Sequence, residues 1–450
     1  MSRKSHLIYR VADNAAAGYE RYGPIVLLLI CCFIIRSSYL VTLYYDTDTV
    51  TYFYASERIL HGIADPLRPP VYPLIMKLFT VLWPRDPFPP MVIFQSICSF
   101  LSIIPFYFTC KMWMCSRKLA LIASMIYGCL PLLHSFNNTI FPEALLITCY
   151  VNLLYIFSLY LKKPQRITAW LLNMGIVVMV LLKPGCLYLY VVLGLIWLIR
   201  IVAARSIASY YAESAGYLMA IVLLLVYCQV NSYQNGSFAV STVTHDNNFA
   251  NVVASNVYKN IPDKKLVTAI DSSIKNGVYY TIYYLNNDHD VIQQQYRNFP
   301  YINNPNMNYV SEIPSSKYGY TRKELDKYIG DVMRTKEYYR YVLENALNFM
   351  NSTIFSVKGY MLWVLMLLQA GFVVYAGLIK RNILYLDIFV LGASGGLLLT
   401  FFIVGFGQAE RILAPVVPLL IFQFFRLLDL LGSVIDIKRL SHLATIKQLQ

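Results

Sequence analysis

Apolar runs of about 20 residues, the length that crosses a bilayer core, recur along the chain and set its pattern. They are read as ten spans, at about 24–43, 90–111, 118–136, 141–161, 167–182, 185–203, 207–230, 355–379, 384–404 and 412–431. Between them lie short basic clusters and longer stretches rich in acids, Tyr and Asn. With the N-terminus (Arg3, Lys4, Arg10, Arg21) placed in the cytoplasm, the clusters Lys111/Arg117/Lys118, Lys162/Lys163/Arg166, Arg200/Arg205, Lys380/Arg381 and Lys438/Arg439 all fall on that side, where positive residues collect. The expectation is an all-α polytopic membrane protein with both termini cytoplasmic. The first run is read as a span and not as a cleaved signal, since more spans follow and no small-residue cleavage site closes it.

The outer loops are unequal. Residues 44–89 are too long for a turn. In "TVTYFYASERILHG", Tyr52, Ser56, Ile59 and Ile63 recur at helical spacing with Glu57, Arg58 and His61 on the other side, the signature of a helix lying along the membrane surface. "VYPLIMKLFTVLW" predicts a second one after Pro69-Pro70. Residues 231–350 predict a small extracytoplasmic domain of mixed structure. Near its end Thr321 and Glu324 have capping-box spacing and Leu325, Ile329 and Met333 follow at steps of four, the pattern of one or two helices with Gly330 as the candidate break. The organisation is thus an N-terminal membrane module 1–230 of about seven spans, the domain 231–350, and a C-terminal module 351–450 with about three spans and a tail.

Composition agrees: 57% of residues are hydrophobic and 14% charged, where a soluble chain carries about 25% charged. The net charge of +14 would point to nucleic acid in a soluble protein; here it is topology, and no nucleic-acid partner is expected. The nine cysteines lie in or beside apolar runs without paired CxxC spacing and read as core packing. His134, His245 and His289 lack metal-ligand spacing, and there is no phosphate loop, GxSxG elbow or nucleotide fingerprint.

Chemistry concentrates at the outer mouths of spans. Asp46 and Asp48 close the first span. Asp48 suits a helix cap, but a carboxylate at the boundary also suits proton abstraction from a hydroxyl, and two acids one residue apart suit a divalent cation. Arg68 and Lys183 are outer-face cations, which snorkel toward headgroups or clamp a phosphate. Glu143, after Pro142, caps its helix or adds a cavity acid. The Glu410–Arg411 pair sits in "GFGQAER". Charges at such depths mark sites by default.

Together Asp48, Tyr52, Gly62, Arg68, Pro69, Pro70, Tyr72 and Pro73, with "PEALL" at 142–146, "LLKPG" at 181–185 and "ERILAPVVP" at 410–418, resemble the GT-C glycosyltransferases. The nearest branch in pattern is that of protein mannosyltransferases and lipid-A aminoarabinose transferases. The resemblance implies a transmembrane helix bundle that moves a sugar from a polyprenyl-phosphate carrier to an outer acceptor with inversion. It implies Asp48 as catalytic base or acceptor-orienting acid with Asp46 its neighbour, Arg68 as donor-phosphate ligand supported by Lys183 and Arg411, and Glu143 as a further acid. Tyr52, Glu57, Arg58, His61, Tyr72 and Glu410 would line the cavity. Two features depart from the pattern: Leu67 stands where the aminoarabinose transferases carry a metal-binding acid, and Thr49 where the mannosyltransferases carry Glu. No cofactor is therefore required, although a divalent cation fits Asp46 and Asp48.

Two other readings compete. A lipid or oligosaccharide flippase fits ten spans, but the charges gather on one face and no matched interrupted spans suggest inverted repeats. A polysaccharide polymerase or ligase should place its charges in a large late loop, whereas this chain puts them in the first. The acceptor (protein, glycolipid or polysaccharide) stays open. The compact build favours a bacterial plasma membrane over the endoplasmic reticulum. Asn137, Asn235 and Asn351 lie in Asn-x-Ser/Thr patterns.

Overall fold

The computed structural model describes residues 23–38, 43, 47–206, 210–275, 320–344, 357–378, 384–404, 413–430 and 432, and all regular elements among them are helical. In chain order they are α1 (Gly23–Ser37), α2 (Thr47–Leu60), α3 (Val71–Leu82), α4 (Phe88–Leu101), α5 (Ile103–Trp113), α6 (Arg117–Cys129), α7 (Pro131–Ser135), α8 (Glu143–Lys162) and α9 (Arg166–Leu182). There follow α10 (Tyr188–Ala204), α11 (Tyr211–Asn235), α12 (Val243–Ala254), α13 (Lys264–Lys275), α14 (Arg322–Met333), α15 (336–344), α16 (Val357–Leu378), α17 (Tyr385–Val404) and α18 (417–430).

Four described stretches are long and apolar enough to cross a membrane: Phe88–Trp113, Glu143–Lys162, Pro184–Ala204 and Tyr211–Asn235. A fifth is the pair Arg117–Cys129 and Pro131–Asn138, counted as one span despite its 41° bend. The protein is an integral membrane protein. The bend breaks the smooth span predicted over 118–136, and Pro131 explains it: proline has no N–H to continue the ladder and its ring crowds the preceding turn.

The chain divides into two compact units. One comprises residues 1–44, 88–168 and 415–450. Here Arg36 of α1 donates to Gly128 O at the end of α6 (2.8 Å) and to Ser99 Oγ of α4 (3.1 Å). Asp429 of α18 accepts from the N–H groups of Cys115 and Ser116 (2.7 and 2.9 Å), so a carboxylate sits at the positive N-terminus of α6.

The other unit comprises residues 45–87 and 169–414. Close packing of α10 on α17 rests on Gly392 and Gly396, where an added Cβ would stand 2.8 Å from Val192 and 2.3 Å from Tyr188. Small residues four apart let membrane helices approach in this way, and Tyr188 Oη donates to Ala393 O (2.8 Å) across the contact. The region predicted from 231 opens on the last turn of α11, which runs to Asn235 and ends on Gly236 at φ +71°, a left-handed position natural to glycine. Its described part, residues 231–275 and 320–344, is helical. Phe249, Val252 and Val253 of α12, Leu266 and Ile270 of α13, Leu325, Ile329 and Val332 of α14, and Tyr338 and Tyr341 of α15 form one core. The capping box of Thr321 and Glu324 is present. The break falls at residues 334–335 and not at Gly330, through which α14 continues.

Candidate active site

The second unit brings residues 47–87 together around the Asp48–Arg68 ion pair. Both helices predicted there are present. Asp48 is the second residue of α2, inside the first turn and not at the cap, so its carboxylate adds favourably to the helix dipole. Twenty residues on, Arg68 turns back to it. Arg68 Nη2 donates to Asp48 Oδ1 at 2.5 Å and Nε donates to Thr51 Oγ1 at 2.9 Å, while Thr51 Oγ1 donates to the Asp48 carbonyl (2.8 Å). The guanidinium carbon lies 4.5 Å from the centre of the Tyr52 ring, a cation–π distance. Tyr52 in turn meets Tyr72 edge to face at 4.9 Å, and both tyrosines are buried. The charged side chains are 14% and 18% exposed, shielded from bulk water yet reachable.

The loop before Arg68 explains how a cation after Leu67 is aimed so definitely. Asp65 Oδ1 accepts the N–H groups of Leu67 and Arg68, both at 2.9 Å, an Asx turn of the kind an Asp-Pro pair initiates. Its other oxygen faces Arg58 Nε at 3.6 Å. Gly62 permits the reversal after α2 with φ +69°, and Pro70 leads directly into α3.

Glu57 pairs with Lys77 of α3 (2.8 and 3.0 Å) and so ties the two loop helices together. Arg58 pairs with Asp65 and donates to Asn235 Oδ1 (3.1 Å). His61 is exposed in the turn after α2. Lys183 lies half-buried at the turn between α9 and α10, its N–H on Met179 O. Glu143 opens α8 fully buried and belongs to the other unit. Asp46, Glu410 and Arg411 lie outside the described residues. Among the described residues no three His, Cys, Asp or Glu side chains gather as metal ligands.

Sequence reasoning missed Thr51, Asp65 and Lys77. Asp65-Pro66 carries a readable turn signal, whereas Lys77 sits inside an apolar run and gives none.

The family model for dolichyl-phosphate-mannose-protein mannosyltransferase matches residues 67–233, well under half of the chain, with Arg68 at its start. No curated protein matches the chain in sequence. Among solved structures, the apo oligosaccharyltransferase of Archaeoglobus fulgidus superposes with a TM-score of 0.50 at 10% identity, covering 95% of this chain and 52% of that one. The same enzyme tethered to an acceptor peptide with an NVT sequon gives 0.48 at 12% identity, over 94% and 51%. The chain therefore spans about half the length of the solved structures it matches, and the fold likeness rests on the first of them. In its matched segment and its helical fold, the chain is similar to the GT-C glycosyltransferases, as the motifs around Arg68 led one to expect.

Proposed function

We propose that this chain transfers a sugar from a polyprenyl-phosphate donor to an acceptor hydroxyl on the extracytoplasmic side of the membrane, with inversion at the anomeric carbon. The observation that carries the reading is the Asp48–Arg68 pair: a carboxylate and a guanidinium held together at the start of a loop helix, half-shielded and backed by aromatic rings. A proton acceptor and a phosphate ligand are the two groups this reaction needs. The matched family model, named for a dolichyl-phosphate sugar, supports a lipid-phosphate donor.

The donor phosphate competes with Asp48 for Arg68, for which oxyanions are natural partners. Losing its cation makes the carboxylate a better proton acceptor, so the base is released as the donor binds. Asp48 then takes the acceptor's proton, the acceptor oxygen bonds to the anomeric carbon, and the bond from that carbon to the phosphate oxygen breaks. The departing polyprenyl phosphate carries the electron pair, and Arg68, Lys183 and Arg411 offset its growing charge. Glu410 serves as a further acid of the cavity, and Asp46 shares with Asp48 any divalent cation that binds. The setting is the plasma membrane of a bacterium, both termini inside, with the helical domain after α11 on the acceptor side.

The test is transfer by the full chain in lipid nanodiscs, supplied with dolichyl- and undecaprenyl-phosphate hexoses and hydroxyl-bearing peptide, glycolipid and polysaccharide acceptors. Wild type releases polyprenyl phosphate as the acceptor gains sugar, and Asp48→Asn slows this by about 100-fold or more. Full transfer by Asp48→Asn rules out the base.

A further inference from the structure

The segment Gly62–Arg68 is gripped from outside by residues far along the chain. Gln234 Nε2 donates to Gly62 O (2.8 Å), and its Oε1 accepts from Ala64 N (2.5 Å). Asn235 Nδ2 donates to Ala64 O (2.9 Å). Thr242 donates to Pro66 O twice, from N (2.7 Å) and Oγ1 (3.0 Å). Ser241 Oγ donates to Leu67 O (2.5 Å) and accepts the N–H of Val243 (3.1 Å). With Asp65 holding the N–H groups of Leu67 and Arg68 from inside, the two peptide units before Arg68 are fixed at both their donors and their acceptors.

The grip is attached to something rigid. Ser241 and Thr242 are buried and lead directly into α12, whose Phe249, Val252 and Val253 belong to the core shared with α13, α14 and α15. Asn231, fully buried on α11, donates to Ala239 O (2.7 Å) and holds down the connection between α11 and α12. Arg68 meets Asp48, Thr51 and the Tyr52 face together, and because a guanidinium is a planar fork with fixed donor directions, the backbone that carries it bears on how that fork is aimed.

The geometry points to a positioning clamp: Ser241 and Thr242, helped by Gln234, set the backbone of Leu67–Arg68, and through it the helical domain beyond α11 sets the affinity of Arg68 for the donor phosphate. The inference rests on the reading of Arg68 as phosphate ligand. None of the clamp residues touches the phosphate; each acts through Arg68.

The experiment is titration of dolichyl phosphate into the full chain in nanodiscs, with thermal unfolding of each variant alongside. Ser241→Ala, which frees one carbonyl anchor, raises Kd about fivefold, the yield of a single hydrogen bond. Thr242→Ser keeps its hydroxyl and stays within about twofold. Gln234→Met, at an exposed position that folding tolerates, raises Kd about threefold. The decisive variant is Arg68→Ala combined with Ser241→Ala. If the clamp acts through Arg68, the double variant binds no worse than Arg68→Ala alone. A merely structural role makes the two losses add, and that result overturns the inference. Unchanged binding in both Ser241→Ala and Gln234→Met overturns it too, while loss in Arg68→Ala leaves the phosphate reading standing. Wild-type binding by Arg68→Ala sinks both.

Discussion

Asp48 Oδ1 and Arg68 Nη2 stand 2.5 Å apart while Arg68 Nε holds Thr51 Oγ1, so one side chain satisfies two partners one helical turn apart. Lysine offers a single flexible point charge and cannot span them. The same fork matches a phosphate bidentately, which lysine does not reproduce, so Arg68→Lys is expected to lower kcat/KM for the lipid-phosphate donor by about tenfold or more, equivalent to roughly one charged hydrogen bond. Steady-state kinetics across donor concentration measure it.

How much of this was legible beforehand depends on whether the signal is local. Apolar runs announced the helices, and Asp48 and Arg68 stood out as charges in the loop after the first run, while the ion pair between them is what folding adds. The capping box at Thr321 was readable because its spacing is itself the interaction. The clamp was not: Ser241 and Thr242 are ordinary loop residues until folding brings them to Pro66 and Leu67, more than 170 positions away. The 41° bend at Pro131 was announced by the proline, but hydropathy alone smoothed it into a straight span.

Packing of α10 on α17 makes a stability prediction. Gly396→Leu drives a side chain into Tyr188 and is expected to cost about 1–3 kcal/mol, the usual penalty of overpacking. Gly371→Leu on α16, where an added Cβ meets nothing within 4 Å, serves as control. Thermal unfolding in the same detergent compares them, and equal midpoints would contradict the close approach.

The helical domain carries a pH signature. Burial pushes the Asp263 carboxyl up, but bonds from the Tyr320 hydroxyl and the N–H groups of Leu266 and Lys265 outweigh it and hold it below its ordinary 3.8. The hydroxyl and backbone N–H of Thr321 lower Glu324 from 4.5. A depressed carboxylate stabilises the fold above its unfolded value and loses that contribution as pH falls through the folded one. Tyr320 is pushed up to about 12 by burial and by Asp263, so its contribution is complete below 10 and is lost as pH rises through about 12. Hydrogen exchange over α13 and α14 is expected to loosen at both extremes, with Tyr320→Phe removing the alkaline loss and weakening the acid one.

Asn235 lies in an Asn-Gly-Ser pattern, yet its amide bonds Ala64 O and Asn231 Oδ1 and its oxygen accepts from Arg58. Asn137, in the Asn-Asn-Thr pattern, is buried. Both are expected to stay unmodified when the chain is produced in a glycosylating host, and intact-mass spectrometry of the tryptic peptides checks this. A glycan on Asn235 would contradict the clamped loop.

The central claim is that a donor phosphate takes Arg68 from Asp48. An experimental structure of the chain with bound dolichyl phosphate tests it most directly. The account predicts a phosphate oxygen at about 2.8 Å from the Arg68 guanidinium, with the Asp48 carboxylate released toward the acceptor side. A phosphate bound elsewhere, with the Asp48–Arg68 pair still closed, would contradict it.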